Sequence, residues 1–216
     1  MTTKFDSLLK NPTLEFFPRP QAKNGVKYQW VYKTKFTLEG VVECHKARLG
    51  VKGFSKQEGY TETFSPTAKM NFVRLISSPV ARFEWNVHQM DVKSSFLCVY
   101  LSKKIYIEQP PGFQKDSNLV CRMKKSLYGL KQAPHAWYEK IDRFFLTLGF
   151  KPYESDHSIY VLHNNGDTLI VPLYVDDLVI TRNNVDFILG LKKQLIDTFE
   201  MTDLGLLNLF LGIQVL

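Results

Sequence analysis

Two adjacent carboxylates, Asp176 and Asp177, interrupt an otherwise apolar run, Leu173-Tyr174-Val175-Asp176-Asp177-Leu178-Val179-Ile180. In a flat strand they would point to opposite faces. They converge only if the chain turns there, and Asp tolerates turns. A tight hairpin would then hold both acids in one place, although a solvated turn would carry the same pair. Like charges that close cost energy unless a cation neutralises them, and oxygen ligands suit divalent Mg²⁺ or Mn²⁺. A second acid, Asp91, ends the run Val87-His88-Gln89-Met90-Asp91-Val92. By itself it reads as a cap for a following helix. Two strand-end acidic sites in one chain are also what two-metal phosphoryl chemistry needs. One metal activates an attacking hydroxyl and the other holds a triphosphate and its leaving group, the two lying ~3.5–4 Å apart.

The elements that position these acids are legible in the hydrophobic pattern. Asn86 to Val92 reads as a short strand bearing Asp91. Thr168 to Val175 and Leu178 to Thr181 read as the strands around the acidic pair, with Ser158 to His163 joined to the first by the turn Asn164-Asn165-Gly166-Asp167. A helix runs from about Pro134 to Leu148, with Trp137, Ile141, Phe144, Phe145 and Leu148 as its buried stripe and Gly149 as its stop. A second helix spans 185–199 through Ile188, Leu191, Leu195 and Phe199. Upstream, Val26 to Phe36 and Val41 to Val51 form a basic hairpin around Glu39-Gly40. Ile105 to Ile107 and Leu119 to Met123 read extended, as does Leu207 to Val215, while Pro12, Pro18 and Pro20 force irregular or extended chain. Residues 69–84 carry a helical stripe interrupted by Pro79. Strands and helices alternate irregularly, so the fold class is α+β rather than a doubly wound parallel sheet.

The bulk composition sets the context. The chain has 216 residues, 44% hydrophobic and 13% aromatic, enough to bury a core and too apolar for disorder. Its 28 basic residues against 21 acidic ones leave a net charge of +7. A basic surface makes nucleic acid the first partner to consider, although charge alone does not decide it. Cys44, Cys98 and Cys121 are odd in number and widely spaced, which argues against a disulfide framework and for a reducing, intracellular compartment. No apolar run approaches the ~20 residues needed to span a bilayer, and the first residues lack the apolar core of a secretion signal.

Six strings, in this order, resemble a known family: Lys46-Ala-Arg-Leu, Glu62-Thr-Phe-Ser-Pro66, Gln89-Met-Asp-Val-Lys93, Ile107-Glu-Gln-Pro-Pro-Gly-Phe113, Ser126-Leu-Tyr-Gly-Leu-Lys-Gln-Ala-Pro134 and Tyr174-Val-Asp-Asp177. Together they look like the reverse transcriptase of copia-type long-terminal-repeat retrotransposons. The resemblance implies a right-hand polymerase fold, with fingers at 1–66 and 99–132 and a ferredoxin-like palm at 67–98 and 133–216. It implies RNA-directed DNA synthesis from deoxynucleotides (dNTPs) on an RNA/DNA template-primer, with two Mg²⁺ or Mn²⁺ ions held by Asp91, the Val92 carbonyl, Asp176 and Asp177. Lys46 and Arg48 match the positions that grip the incoming triphosphate, which a cationic strand pair can neutralise. Phe96 matches the steric gate, whose ring would collide with a ribose 2′-hydroxyl. Tyr128, Gly129 and Lys131 match the segment beside the nascent base pair and template. Tyr174 with Phe210, Leu211 and Gly212 resembles the elements that seat the primer end. The resemblance also implies work in the cytoplasm, within a virus-like particle, or in the nucleus.

Departures from the family pattern set a second expectation. The segment after Phe96 is usually polar with a glycine, but here reads Leu97-Cys98-Val99-Tyr100-Leu101-Ser102-Lys103-Lys104. Gly50 replaces an apolar residue, His135 stands where Arg is common, and the Glu58-Gly59-Tyr60 loop is short. Pro79 interrupts a helix, and Pro172 sits in a strand where it removes a ladder hydrogen bond unless it lies on an edge or bulge. Thumb, integrase and RNase H regions are expected elsewhere in a Pol polyprotein and are not within these residues. The alternative function is therefore a degenerate element fragment that catalyses nothing and at most binds nucleic acid through its charge.

Overall fold

The computed structural model describes residues 8, 12–20, 26–36, 40–52, 65–67, 82, 85–92, 95–110, 112–164, 166–182, 185–207, 209–210 and 213–214. Of the helix expected over 69–84 only Arg82 is described, and it is helical; the rest of that stretch, Pro79 included, and the 58–60 loop lie outside the described residues. The fold is mixed α/β and mostly strands. It divides into two compact units: Met1–Phe64 with Phe96–Trp137, and Ser65–Ser95 with Tyr138–Leu216.

In the first unit, β1 (Leu14–Pro18), β5 (Tyr100–Ile107) and β6 (Leu119–Lys125) form an antiparallel sheet in the order β1-β6-β5. A separate antiparallel hairpin joins β2 (Tyr28–Phe36) to β3 (Val42–Val51), as the basic alternating pattern predicts. Gly40 takes a left-handed backbone (φ 79°), which glycine adopts without a Cβ penalty. Leu14, Ile105, Ile107, Val120, Cys121 and Met123 fill the core of the three-stranded sheet.

The second unit is built on a six-stranded antiparallel sheet. Its strands are β4 (Asn86–Val92), β7 (Lys151–Tyr153), β8 (Asp156–Asn164), β9 (Asp167–Tyr174), β10 (Asp177–Arg182) and β11 (Met201–Leu206), in the order β11-β4-β10-β9-β8-β7. Two helices complete it, α1 (Ala133–Thr147) and α2 (Val185–Phe199). The unit boundary falls within α1. Met90 and Val92 of β4 alternate with Gln89 and Asp91, so one face of the strand is apolar. Leu178 and Ile180 of β10 continue that face, and α2 packs against β4, β10 and β11. All four apolar α2 positions read from the sequence, Ile188, Leu191, Leu195 and Phe199, are buried. The helices meet where the Phe144 and Phe199 rings lie edge to face at 5.0 Å, and Phe145 stacks on Tyr160 at 4.5 Å. Such aromatic pairs add roughly 0.5–1.5 kcal/mol beyond burial.

Two readings of the pattern need correction, and the place of Pro172 is now defined. Met201–Leu206 is a sixth strand that the sequence pattern did not announce. The stretch 207–215 is not one extended segment, because β12 (Leu209–Phe210) pairs with β13 (Ile213–Gln214) as a short hairpin. Pro172 lies on neither an edge nor a bulge but in β9, between β8 and β10. It pairs with Ile159 of β8, whereas the β9–β10 ladder lapses between the Leu173–Leu178 and Ile170–Thr181 pairs. That gap is where proline's missing N–H would leave it.

Candidate active site

The acidic pair sits at a two-residue hairpin. Tyr174 ends β9, Val175 and Asp176 form the turn, and Asp177 opens β10 opposite Tyr174. Val175 takes φ 52°, a left-handed conformation costly for a β-branched residue. The tight reversal brings neighbouring acids to one end of the sheet. On the other side of β10, Asp177 is the register partner of Asp91 in β4. Directly opposed residues share a face, so Asp91 and Asp177 stand on the sheet face away from the helices, with Gln89 and Val179 as the next pair. The Val92 N–H donates to the Asp176 carbonyl at 2.8 Å, which ties the end of β4 to the turn.

Each paired acid has its own donor. The Ser95 hydroxyl donates to Asp176 Oδ1. Gln89 Nε2 donates to Asp177 Oδ1 at 3.1 Å. Burial pushes the Asp177 carboxyl above its ordinary value; the Gln89 hydrogen bond opposes the shift, and the charges of Asp91 and Asp176 add to it. Among the described residues, no three His, Cys, Asp or Glu side chains are gathered as ready metal ligands. The donor set nonetheless fits a hard divalent cation. All three side chains offer carboxylate oxygens, and beside the burial that raises the Asp177 carboxyl the charges of Asp91 and Asp176 add a smaller repulsion that a cation would relieve.

Beyond the acids and Gln89, the same face carries an apolar cluster. Val179 and Leu207 are buried there, with Val87 and Tyr174 packed against them. Tyr174 thus lies beside the acidic hairpin, half-buried. Phe210 has its backbone in β12, paired with Ile213. Leu211 and Gly212 lie outside the described residues.

The first unit gathers a second group. Arg48 lies over the Tyr128 ring, 5.4 Å from its centroid, and Phe96 meets the same ring edge-on at 4.7 Å. The Tyr128 carbonyl accepts the Val51 N–H at 2.7 Å. Gly129 (φ 89°) follows at a point where any Cβ would collide with the Val51 carbonyl oxygen. The 126–134 segment and the end of β3 are therefore in backbone contact that only glycine permits. Phe96 is buried and Lys131 exposed. The backbone of Lys46 lies in β3, and its side chain lies outside the description.

Residue chemistry alone did not single out four participants. Ser95 and Gln89 lie within or beside a quoted string, but nothing in their spacing marks them as donors. Gln132 is 8% exposed, and its Nε2 has no hydrogen-bond partner. A buried donor left without an acceptor is uncommon enough to mark a position of interest. Lys192, on the buried stripe of α2, is 4% exposed. Its ammonium donates to both Asp203 oxygens at 2.8 and 2.9 Å and lies 2.8 Å from His88 Nδ1. This cluster occupies the helix face of the sheet, since Asp203 pairs with Met90.

Comparison with known proteins agrees with the family resemblance read from the motifs. Residues 11–216 match the family described as reverse transcriptase (RNA-dependent DNA polymerase). The chain is 39% identical over its whole length to the retrovirus-related Pol polyprotein from transposon TNT 1-94 of Nicotiana tabacum, covering 17% of that protein. It is 36% identical over 99% of its length to the corresponding polyprotein from transposon RE1 of Arabidopsis thaliana, covering 15%. A more distant relative is the transposon Ty1-BL Gag-Pol polyprotein of Saccharomyces cerevisiae, 28% identical over 76% of the chain and covering 9% of that protein. The chain thus spans only about a sixth of the length of its plant relatives.

Proposed function

The chain belongs to the reverse transcriptase (RNA-dependent DNA polymerase) family, and we propose that it is the fingers and palm of a retrotransposon polymerase that extends a primer 3′ end with deoxynucleotides on an RNA template. The observation that carries this reading is the pairing of Asp91 with Asp177 beside a hairpin whose turn holds Asp176. Carboxylates from two separated segments meet at one end of a sheet, as nucleotidyl transfer requires. Further support comes from the strand order β11-β4-β10-β9, with α1 between β4 and β9 and α2 between β10 and β11. That order matches the split βαβ arrangement expected of a ferredoxin-like palm. The two compact units divide the chain close to the fingers and palm bounds read from the resemblance, which supports that division.

In this reading Asp91, Asp176, Asp177 and the Val92 carbonyl hold two divalent cations, Mg²⁺ or Mn²⁺. When bound, such ions supply activation of the primer hydroxyl and neutralisation of the triphosphate charge. Arg48 and Lys46 hold the triphosphate of the incoming nucleotide. Its place over the Tyr128 ring gives the Arg48 guanidinium a cation–π partner, and the planar fork of that group suits bidentate phosphate binding. Phe96, fixed by the same tyrosine, excludes a ribose 2′-hydroxyl. Gly129 and Lys131 serve the template side, and Tyr174 with Phe210, Leu211 and Gly212 the primer end. The net charge of +7 draws the nucleic-acid backbone, so affinity falls steeply with salt. We place this work inside the cell, in the cytoplasm or nucleus, as part of a longer Pol polyprotein. Among the described residues, no helix is long and apolar enough to cross a membrane.

The test is primer extension on an RNA template with Mg²⁺ and with Mn²⁺, alongside Asp91→Asn. Extension that the substitution abolishes supports the reading. Extension that survives it overturns the site assignment. A folded chain that extends nothing and binds template-primer only through charge would favour a degenerate, inactive copy.

A further inference from the structure

Asp176 and Asp177 are neighbours in sequence, yet they are anchored by different groups. Asp176 accepts from the Ser95 hydroxyl and, at its carbonyl, from the Val92 N–H. Asp177 accepts from the Gln89 amide. Ser95 is fully buried and opens the 3-10 turn Ser95–Cys98 that follows β4. A hydroxyl shut off from water keeps its one partner, because losing that bond leaves a buried donor unsatisfied. Gln89 is out of place by pattern. Its register partner in β10 is Val179, its partner in β11 is Gly205, and Val87 precedes it on the same face. An apolar residue would pack there as well. What the glutamine adds is an amide that reaches diagonally to Asp177. Val92, Gln89 and Ser95 all lie in β4 or within three residues of its end. One short segment therefore carries Asp91 itself and the donors that orient the other two acids.

We infer that Ser95 and Gln89 are positioning residues, which hold one oxygen each of Asp176 and Asp177 and so orient the pair for a divalent cation. This rests on the polymerase reading above. A carboxylate offers about four lone-pair sites, so one donor can fix its rotamer while the group still accepts a cation. Without these donors the two acids, at a strained turn and facing Asp91, would swing apart. Cation binding would then have to reassemble them before any chemistry began. Partners of this kind typically change metal affinity about 10- to 100-fold.

The experiment measures Mn²⁺ binding to the full chain, without nucleic acid, by the loss of the free-ion electron paramagnetic resonance signal. Thermal melts report the fold in parallel. Wild type, Asp91→Asn, Ser95→Ala, Ser95→Thr and Gln89→Met are compared. Saturable binding by wild type that Asp91→Asn removes is expected. Ser95→Ala and Gln89→Met should each weaken it about 10-fold, with Ser95→Thr, which keeps the hydroxyl, closer to wild type. If Asp91→Asn removes binding but both truncations bind as wild type does, the positioning role is overturned and the polymerase reading stands. If wild type shows no saturable binding, or Asp91→Asn binds equally well, that reading is overturned and this inference with it. Gln89 is only half-buried and Met is of similar length, so that variant decides the matter where Ser95→Ala fails to fold.

Discussion

Asp91 of β4 and Asp177 of β10 are direct register partners on adjacent antiparallel strands. Like charges directly opposite one another destabilise a sheet by roughly 0.2–1 kcal/mol. Asp91→Asn should therefore raise the metal-free melting temperature slightly while abolishing primer extension. Mg²⁺ should raise the melting temperature of wild type, because a ligand that binds only the folded state stabilises it by mass action. The variant should lose that response. A wild-type melt indifferent to Mg²⁺ would contradict the proposed ligand set.

The two glycines where β3 meets the 126–134 segment should behave in opposite ways. Gly129 has φ 89°, and a Cβ there would strike the Val51 carbonyl oxygen. Gly129→Ala should cost at least about 2 kcal/mol, by both backbone strain and collision. Gly50 lies in β3 with ordinary backbone, and its nearest neighbours to a Cβ are the Tyr128 and Gln29 carbonyl oxygens at 3.7 and 3.8 Å. Gly50→Ala should therefore gain about 0.5–1 kcal/mol by lowering the entropy lost on folding. Urea denaturation of both variants checks the contrast, and equal effects would show that the local geometry is misread.

What the sequence disclosed follows from periodicity and turn chemistry. The α2 stripe, the β4 span and the β8–β9 turn are legible because burial on one face enforces a regular pattern. The convergence of Asp176 and Asp177 is legible because an acidic pair in an apolar run makes sense only at a reversal. β11 was not legible. Its burial pattern does not alternate cleanly, since Leu204 and Leu206 are exposed and a bulge follows Asp203. Lys192 drew no notice in the sequence, because pattern alone cannot see that Asp203 and His88 arrive from two other elements. Ser95 and Gln89 were missed for the same reason, since a hydrogen bond across 81 or 88 residues leaves no trace in local spacing.

The Lys192–Asp203 pair should be asymmetric under mutation. The Lys192 side chain is 5% exposed and that of Asp203 38%. Asp203→Ala leaves a buried ammonium without its counter-charge, which should cost about 3–5 kcal/mol. Lys192→Met removes the buried charge and leaves an acid that water still reaches, so its cost should be nearer 1 kcal/mol. Denaturation midpoints of the two variants decide this, and a larger loss for Lys192→Met would overturn it.

His88 should make stability depend on pH. Its imidazole is held below the ordinary 6.5, first by burial and then by the Lys192 charge, with Asp203 opposing. The unfolded chain therefore binds this proton more tightly than the folded chain, and stability rises with pH across the window that ends near 6.5. Below that window the folded state carries the full penalty of charging the ring beside Lys192. His88→Gln should be less sensitive to a change from pH 7.5 to pH 5.5 than wild type. Parallel urea curves at the two pH values would test this, and an identical pH response in both proteins would refute it.

Val175 stores strain at the acidic hairpin. Its φ of 52° belongs to a region that disfavours L-residues by roughly 1–2 kcal/mol and β-branched ones most. Asn tolerates that conformation, so Val175→Asn should raise the stability of the metal-free chain by about 0.5–1 kcal/mol. Val175→Gly should gain less, because glycine also loses more freedom on folding. Strain of this kind persists only where the surroundings over-determine the backbone. Here those surroundings are the Val92 hydrogen bond to the Asp176 carbonyl and the Asp177–Tyr174 pairing. Melting both variants alongside wild type gives the test. A destabilised Val175→Asn would mean that the valine side chain contributes packing worth more than the strain its backbone costs.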